Sequence, residues 1–198
     1  MLETLVKWDT ELFLFLNGKH NDFWDFVMYW ASIKWVWIPV FLLLIYLLIR
    51  EYKWKSVMAL VFVVLLITAS DQISVHLFKN VFERLRPCHD PSVMGSVHLV
   101  NERCGGMFGF ISSHASNYFA LSVFLIIILG SRFRLFIPLI LIWAAFISYS
   151  RIYLGIHYPG DVLGGAIVGS LLGVIFARLY LLTSHIKKAR ACDFFQDK

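Results

Sequence analysis

Long apolar blocks separated by short polar interruptions make up most of this 198-residue chain. The first segment differs. Over residues 2–16, Glu3, Lys7, Asp9 and Glu11 interleave with apolar positions. That pattern suits an amphipathic helix lying on a membrane surface or against a bundle, too short and too charged to span. Asn17-Gly18 ends it, and Asn21 or Asp22 can cap the next helix. The first span is expected over 35–49, with an aromatic lead-in from Phe23, and Trp24, Trp30, Trp35 and Trp37 fit an interfacial belt. Further spans are expected over 56–78, 115–129, 135–149 and 162–182, each approaching the roughly 20 residues that a bilayer requires. The pattern predicts an all-α fold: a multi-pass transmembrane bundle of five spanning helices plus the N-terminal amphipathic helix, in one membrane-embedded domain over 1–198.

Composition agrees. The chain is 59% hydrophobic and 16% charged, where a soluble domain carries about a quarter charged residues. The net charge of +5 would raise the question of nucleic acid. The basic residues fall in short clusters between apolar blocks and form no continuous stripe, which excludes it. Those clusters instead set topology. The compact basic segments 50–55 and 131–134 and the C-terminal tail belong on the cytoplasmic side by the positive-inside tendency. The N-terminal segment, the long 79–113 loop and the 150–161 stretch then share the outward face. The first residues carry acids within a short apolar run and no small-residue cleavage site, so no removed signal peptide is expected. Gly165, Gly169 and Gly173 share one face of the last span, as small residues do where helices approach closely in lipid.

Three stretches carry candidate chemistry, all on the outward face. Lys79 and Arg86 lie seven apart, nearly two helical turns, so both project from one side. Two cations held together at a membrane edge suit an intervening phosphate, or else snorkel as a basic anchor. Ser112, Ser113 and His114 stand directly before a span. There hydroxyls and free backbone N–H groups can bind an anion and the imidazole can give a proton, although serines at such places are also simple caps. Ser150, Arg151, His157 and Asp161 fall within twelve positions between two apolar blocks. Ionisable groups there mark a functional site by default, the alternative being a polar interhelical loop.

The order and spacing of these stretches resemble the type 2 phosphatidic acid phosphatase family, which shares its site with bacterial acid phosphatases and vanadium haloperoxidases. Lys79–Pro87 matches K-x6-R-P, Ser112–His114 resembles P-S-G-H, and Ser150–Asp161 matches S-R-x5-H-x3-D. The middle motif departs: Ile111 stands for proline and Ser113 for glycine. The resemblance implies His157 as nucleophile, forming a phosphohistidine, and Asp161 as the group fixing its tautomer. It implies His114 as general acid and then base, with Lys79, Arg86, Arg151, Ser112 and Ser113 binding phosphate. Three fixed cations would fill the role magnesium plays elsewhere, so neither a metal nor another cofactor is expected.

The expectation is therefore a bacterial inner-membrane lipid phosphatase with an outward-facing site. Its substrate would be a phosphorylated lipid: undecaprenyl diphosphate, phosphatidic acid, phosphatidylglycerol phosphate or a lipid A phosphate. The alternatives are a lipid-binding or lipid-moving protein without catalysis, and a vanadate-dependent haloperoxidase. Cys88 and Cys104 bracket the outward loop and can form a disulfide if that face is oxidising. Asp71, Gln72 and His76 are expected in helix–helix hydrogen bonds, the alternative being a supporting layer behind the site, and His20, His89, His98 and His185 in solvent.

Overall fold

The computed structural model describes residues 2–130 and 135–184. It is 80% helical, with seven helices and no strand among the described residues. Helix α1 is Leu2–Asn17, α2 is Asp22–Ser32, and α3 is Ile38–Tyr52. Helix α4 is Lys55–Ile73, prolonged by a π-helical turn, Ser74–Lys79, and by Asn80–Phe82. After the long loop come α5 (Ser113–Leu129), α6 (Phe136–Tyr153) and α7 (Pro159–Thr183). The basic segment 131–134, the C-terminal tail and His185 lie outside the described residues.

Four helical stretches are long and apolar enough to cross a membrane: Lys34–Tyr52, Lys55–Phe82, Phe136–Tyr153 and Pro159–Thr183. The fifth expected span, α5, has only 17 residues. It is the most enclosed of the set, with Ala120, Phe124, Leu125 and Leu129 buried against Leu44, Leu48, Leu66 and Tyr180. Lipid tails are as apolar as leucine, so such a bundle is held by close van der Waals fit more than by expulsion from water. The glycine face supplies that fit. A Cβ on Gly165, Gly169 or Gly173 would fall 2.5, 2.1 or 2.6 Å from the carbonyls of Ser112, Ser116 and Ala120. Helices α5 and α7 are therefore in backbone contact. The Ser70 and Ser116 hydroxyls, 2.7 Å apart, tie α4 to α5.

The structure corrects the expectations for the aromatic lead-in and for the polar end of α4. The aromatic lead-in does not run into the first span: α2 is a separate helix, capped by Asn21 Oδ1 on the Trp24 N–H at 2.9 Å. It stops at Ile33, whose backbone is extended. Trp37 leaves the belt to pack edge-on against Trp143, with its indole N–H donating to the Ala31 carbonyl. Gln72 and His76, expected between helices, are exposed on the outer side of α4 at and before the π-helical turn.

Helix α1 packs against one end of the bundle. Phe13 is fully buried beside Tyr158, Ile152 and Val93. The Asn17 amide donates to Tyr153 O at 2.8 Å and to His98 O at 3.0 Å, and its oxygen accepts the His98 N–H. The long loop folds over the same end, pinned by paired backbone bonds between Arg84–Arg86 and Met107–Gly109 and by a Cys88–Cys104 disulfide with Cα atoms 6.0 Å apart. His98, expected in solvent, instead pairs with Asp25 at 3.0 Å and stacks on His20.

Candidate active site

The turn between α6 and α7 builds the centre of the site. Arg151 lies in the last turn of α6, and Gly155 reverses the chain at φ +76°, where a Cβ would strike His98 O at 2.7 Å. Pro159 then opens α7 at its first turn, a place where its missing N–H costs nothing. Asp161 sits three residues past the cap residue Tyr158. Its Oδ2 accepts the Tyr158 N–H at 3.0 Å and faces His157 Nδ1 at 3.4 Å. Asp161 is fully buried and His157 nearly so. With Nδ1 turned to the carboxylate, Nε2 is the nitrogen left for chemistry.

The long loop and α4 bring two of the cations. Arg86 is aimed by its Nε on Phe108 O and its Nη1 on Cys104 O, both at 3.2 Å. The disulfide that fixes Cys104 thereby helps to set a guanidinium. Lys79, on the π-helical turn, donates to Ser113 Oγ at 2.7 Å. Arg151 contributes a third cation, and its buried Nε has no hydrogen-bond partner among the described residues. Lys79, Arg86, Ser113, His114, Arg151 and His157 all line one cavity of about 740 Å³. Its remaining wall is largely apolar, with Phe41, Val63, Ile67 and Leu121 reaching down between the helices.

Burial pushes the His157 imidazole well below its ordinary range, and the charges of Arg86, Arg151 and Lys79 push it the same way. It is neutral, with a free lone pair, at neutral pH. Burial also lowers Arg86, against the pull of Asp161, but an arginine remains a cation in any case.

Ser112 is placed differently from the other motif residues. It is fully buried and does not line the cavity. Its hydroxyl caps α5 on the Ala115 N–H, and its own N–H donates to Asp161 O at 2.9 Å. The hydroxyl at the cavity wall is that of Ser113, where the resembled motif has glycine. Asp71 also reaches the cavity wall.

Three further residues surround His157 and Asp161 without any sequence signal at the motif level. Gly109 lets the loop approach: a Cβ there would lie 2.8 Å from Asp161 Oδ2 and 3.6 Å from His157 Nδ1. Arg84 and Asp9 form ion pairs that end on Asp161.

A model of the PAP2 superfamily matches residues 56–183. The lipid A 4′-phosphatase of Bacteroides thetaiotaomicron is 41% identical over 179 residues, covering 89% of this chain and 78% of that protein. That of Porphyromonas gingivalis is 34% identical over 183 residues, covering 91% and 76%. Among solved structures, the PAP2-type phosphatidylglycerolphosphate phosphatase of Bacillus subtilis superposes with a TM-score of 0.67 at 22% identity, over 94% of this chain and 90% of that one. Aquifex aeolicus LpxE gives 0.62 at 22% identity, over 85% and 94%. The motifs gathered at this cavity and the family match over most of the chain agree: the protein belongs to the PAP2 superfamily.

Proposed function

We propose that this membrane phosphatase removes the 4′-phosphate of a lipid A-type glycolipid at the outward face of the membrane, through a phosphohistidine on His157. The observation that carries the reading is the neutral, buried His157, oriented by Asp161 and set among Lys79, Arg86 and Arg151 in one cavity. The names of the two curated relatives support the choice of lipid. The apolar cavity wall suits a substrate whose acyl chains stay in the bilayer. The disulfide in the covering loop supports an oxidising, outward side.

Phosphoryl transfer needs positioning and charge stabilisation more than covalent help. The three cations hold the phosphoryl oxygens and offset the charge that builds on them. Nε2 of His157 attacks phosphorus as the bond to the sugar oxygen breaks, and His114, which takes up a proton when the substrate's negative charge lies beside it, gives that proton to the oxygen. The imidazole becomes positively charged, which Asp161 stabilises from Nδ1. His114, now neutral, takes a proton from water, the hydroxide attacks phosphorus, and His157 leaves as the neutral imidazole.

The test is phosphate release by purified protein from lipid A, undecaprenyl diphosphate, phosphatidic acid and phosphatidylglycerol phosphate, with His157→Ala as control. Lipid A should be the preferred substrate, and His157→Ala should be folded and inactive. Equal turnover of all four lipids would overturn the substrate, and near-normal release by His157→Ala would overturn the mechanism.

A further inference from the structure

We infer that Arg84 and Asp9 are positioning residues for the reaction, which makes the N-terminal helix, outside the segment matched by the family, part of the catalytic apparatus. The inference rests on the reading of His157 and Asp161 as nucleophile and orienting carboxylate.

Asp161 has two oxygens with separate duties. Oδ2 faces His157 and the Tyr158 N–H. Oδ1 accepts Arg84 Nη1 at 2.9 Å. The other arm of the same guanidinium, Nη2, reaches Asp9 Oδ2 on α1 at 2.7 Å. Asp9 Oδ1 in turn accepts the Gly160 N–H at 2.7 Å, next to Asp161 in the chain. The four groups close a ring that joins α1, the outward loop and the start of α7. Gly160 is needed for it, because a Cβ there would fall 2.7 Å from Asp9 Oδ2. The guanidinium also lies 4.2 Å over the Tyr158 ring, whose hydroxyl donates to Asp90 at 2.8 Å. Its plane is therefore fixed from a second direction.

Charge gives the ring a purpose beyond packing. A carboxylate as buried as Asp161 needs a charged partner, and Arg84 supplies one. An unopposed arginine, however, would draw the carboxylate's charge away from the imidazole it must stabilise. Asp9 opposes it. From the site outward the order is His157, becoming positive during phosphoryl transfer, then Asp161 negative, Arg84 positive and Asp9 negative. Arginine suits the middle place because its planar fork can hold two carboxylates at set angles, which a lysine ammonium cannot. Arg84 does not line the cavity, so its effect should appear in the chemical step and not in substrate binding.

The test compares Arg84→Gln, Arg84→Lys, Asp9→Asn and the Asp9→Asn/Arg84→Gln double variant, using lipid A in detergent micelles and His157→Ala as the reference for lost chemistry. Arg84→Gln should lower kcat by about ten- to a hundredfold, as loss of a group that orients a reacting residue typically does, with KM changed less than about twofold. Arg84→Lys should regain part of the loss. Asp9→Asn should lower kcat less than Arg84→Gln, and the double variant should be no slower than Arg84→Gln alone, since both act through one ring. A normal kcat in Arg84→Gln, a loss confined to KM, or single effects that multiply in the double variant would each overturn the inference. If Arg84→Gln does not elute as a folded protein, Asp9→Asn decides alone, and a wild-type kcat there overturns it. Activity surviving in His157→Ala would instead remove the mechanism on which the inference rests.

Discussion

Gly169→Ala is the smallest substitution that should separate the two halves of the site. A Cβ at 169 would stand 2.1 Å from Ser116 O and 2.8 Å from the Ser116 carbonyl carbon and Cα, whereas ordinary contact begins at 3.4 Å. The shortfall against the carbonyl oxygen is 3.4 − 2.1 = 1.3 Å. The atoms in the way are backbone, so no side chain can swing aside, and the helices themselves must part. Helix α5 carries Ser113 and His114 at its start, while His157 and Asp161 move with the start of α7. A separation near 1 Å therefore falls between His114 and His157, the proposed general acid and nucleophile, and misplacement of that size can cost about a hundredfold in rate. Overpacking costs about 1–3 kcal/mol, which most folded proteins survive. The expectation is a folded protein with a lower melting temperature and kcat down by about two orders of magnitude. Gly95→Ala, with nothing within 4 Å of its Cβ, is the control that should change neither. Phosphate release and thermal unfolding in detergent measure the two effects. A Gly169→Ala protein with wild-type kcat and melting temperature would show that α5 and α7 are not in backbone contact, and the packing argument would fail.

Three other outcomes follow from the site. Activity should persist in EDTA, because Lys79, Arg86 and Arg151 supply the positive charge; loss in EDTA that magnesium restores would refute this. Replacing Cys88 and Cys104 by serine should raise KM, since Arg86 Nη1 is held by Cys104 O, and should lower stability by roughly 3 kcal/mol, the scale for closing a loop of this length; an unchanged KM would show that the disulfide does not set Arg86. His157 is held neutral in the folded protein, so below its unfolded value of about 6.5 only the unfolded chain takes up that proton. Stability should thus fall as pH drops below about 6.5, by up to about 1.4 kcal/mol per pH unit from this group. A His157→Gln variant should lack that component of the acid sensitivity, and an unaltered pH dependence would contradict the neutral assignment.

The spans were legible because membrane helices must satisfy their backbone internally and present long apolar blocks to lipid. Lys79, Arg86, Arg151, His157 and Asp161 were legible through the motifs of the resembled family. The helical spacing expected to put Lys79 and Arg86 on one face does not hold: the helix stops at Phe82, Glu83 is left-handed and Arg86 comes from extended loop. What sequence did not carry was contact between distant segments. Asp9 and Arg84 are 75 positions apart, and each taken singly is an ordinary surface charge. Asp9 reads as the polar side of an amphipathic helix, and Arg84 as one of six unspecified positions between two motif residues. Only the fold of α1 over the end of the bundle makes them partners of Asp161. The π-helical turn is equally silent. One extra residue per turn at Ser74–Lys79 rotates the face that α4 presents, and Gln72 and His76 fall outside while Lys79 points to the cavity.

The serines show the limit of reading a motif by position. Ser112 stands where the resembled motif has its hydroxyl, yet that hydroxyl closes the α5 cap and the Ser112 N–H binds the backbone of Asp161. Its place in the structure is to join α5 and α7 at the point where Gly165 lets them meet. The hydroxyl on the cavity wall comes from Ser113, where glycine is expected, and it accepts the Lys79 ammonium. A phosphoryl group entering the cavity offers that ammonium stronger, charged acceptors. In this structure Ser113 holds Lys79, a contact of the departed position that only the distance between Nζ and Oγ makes visible.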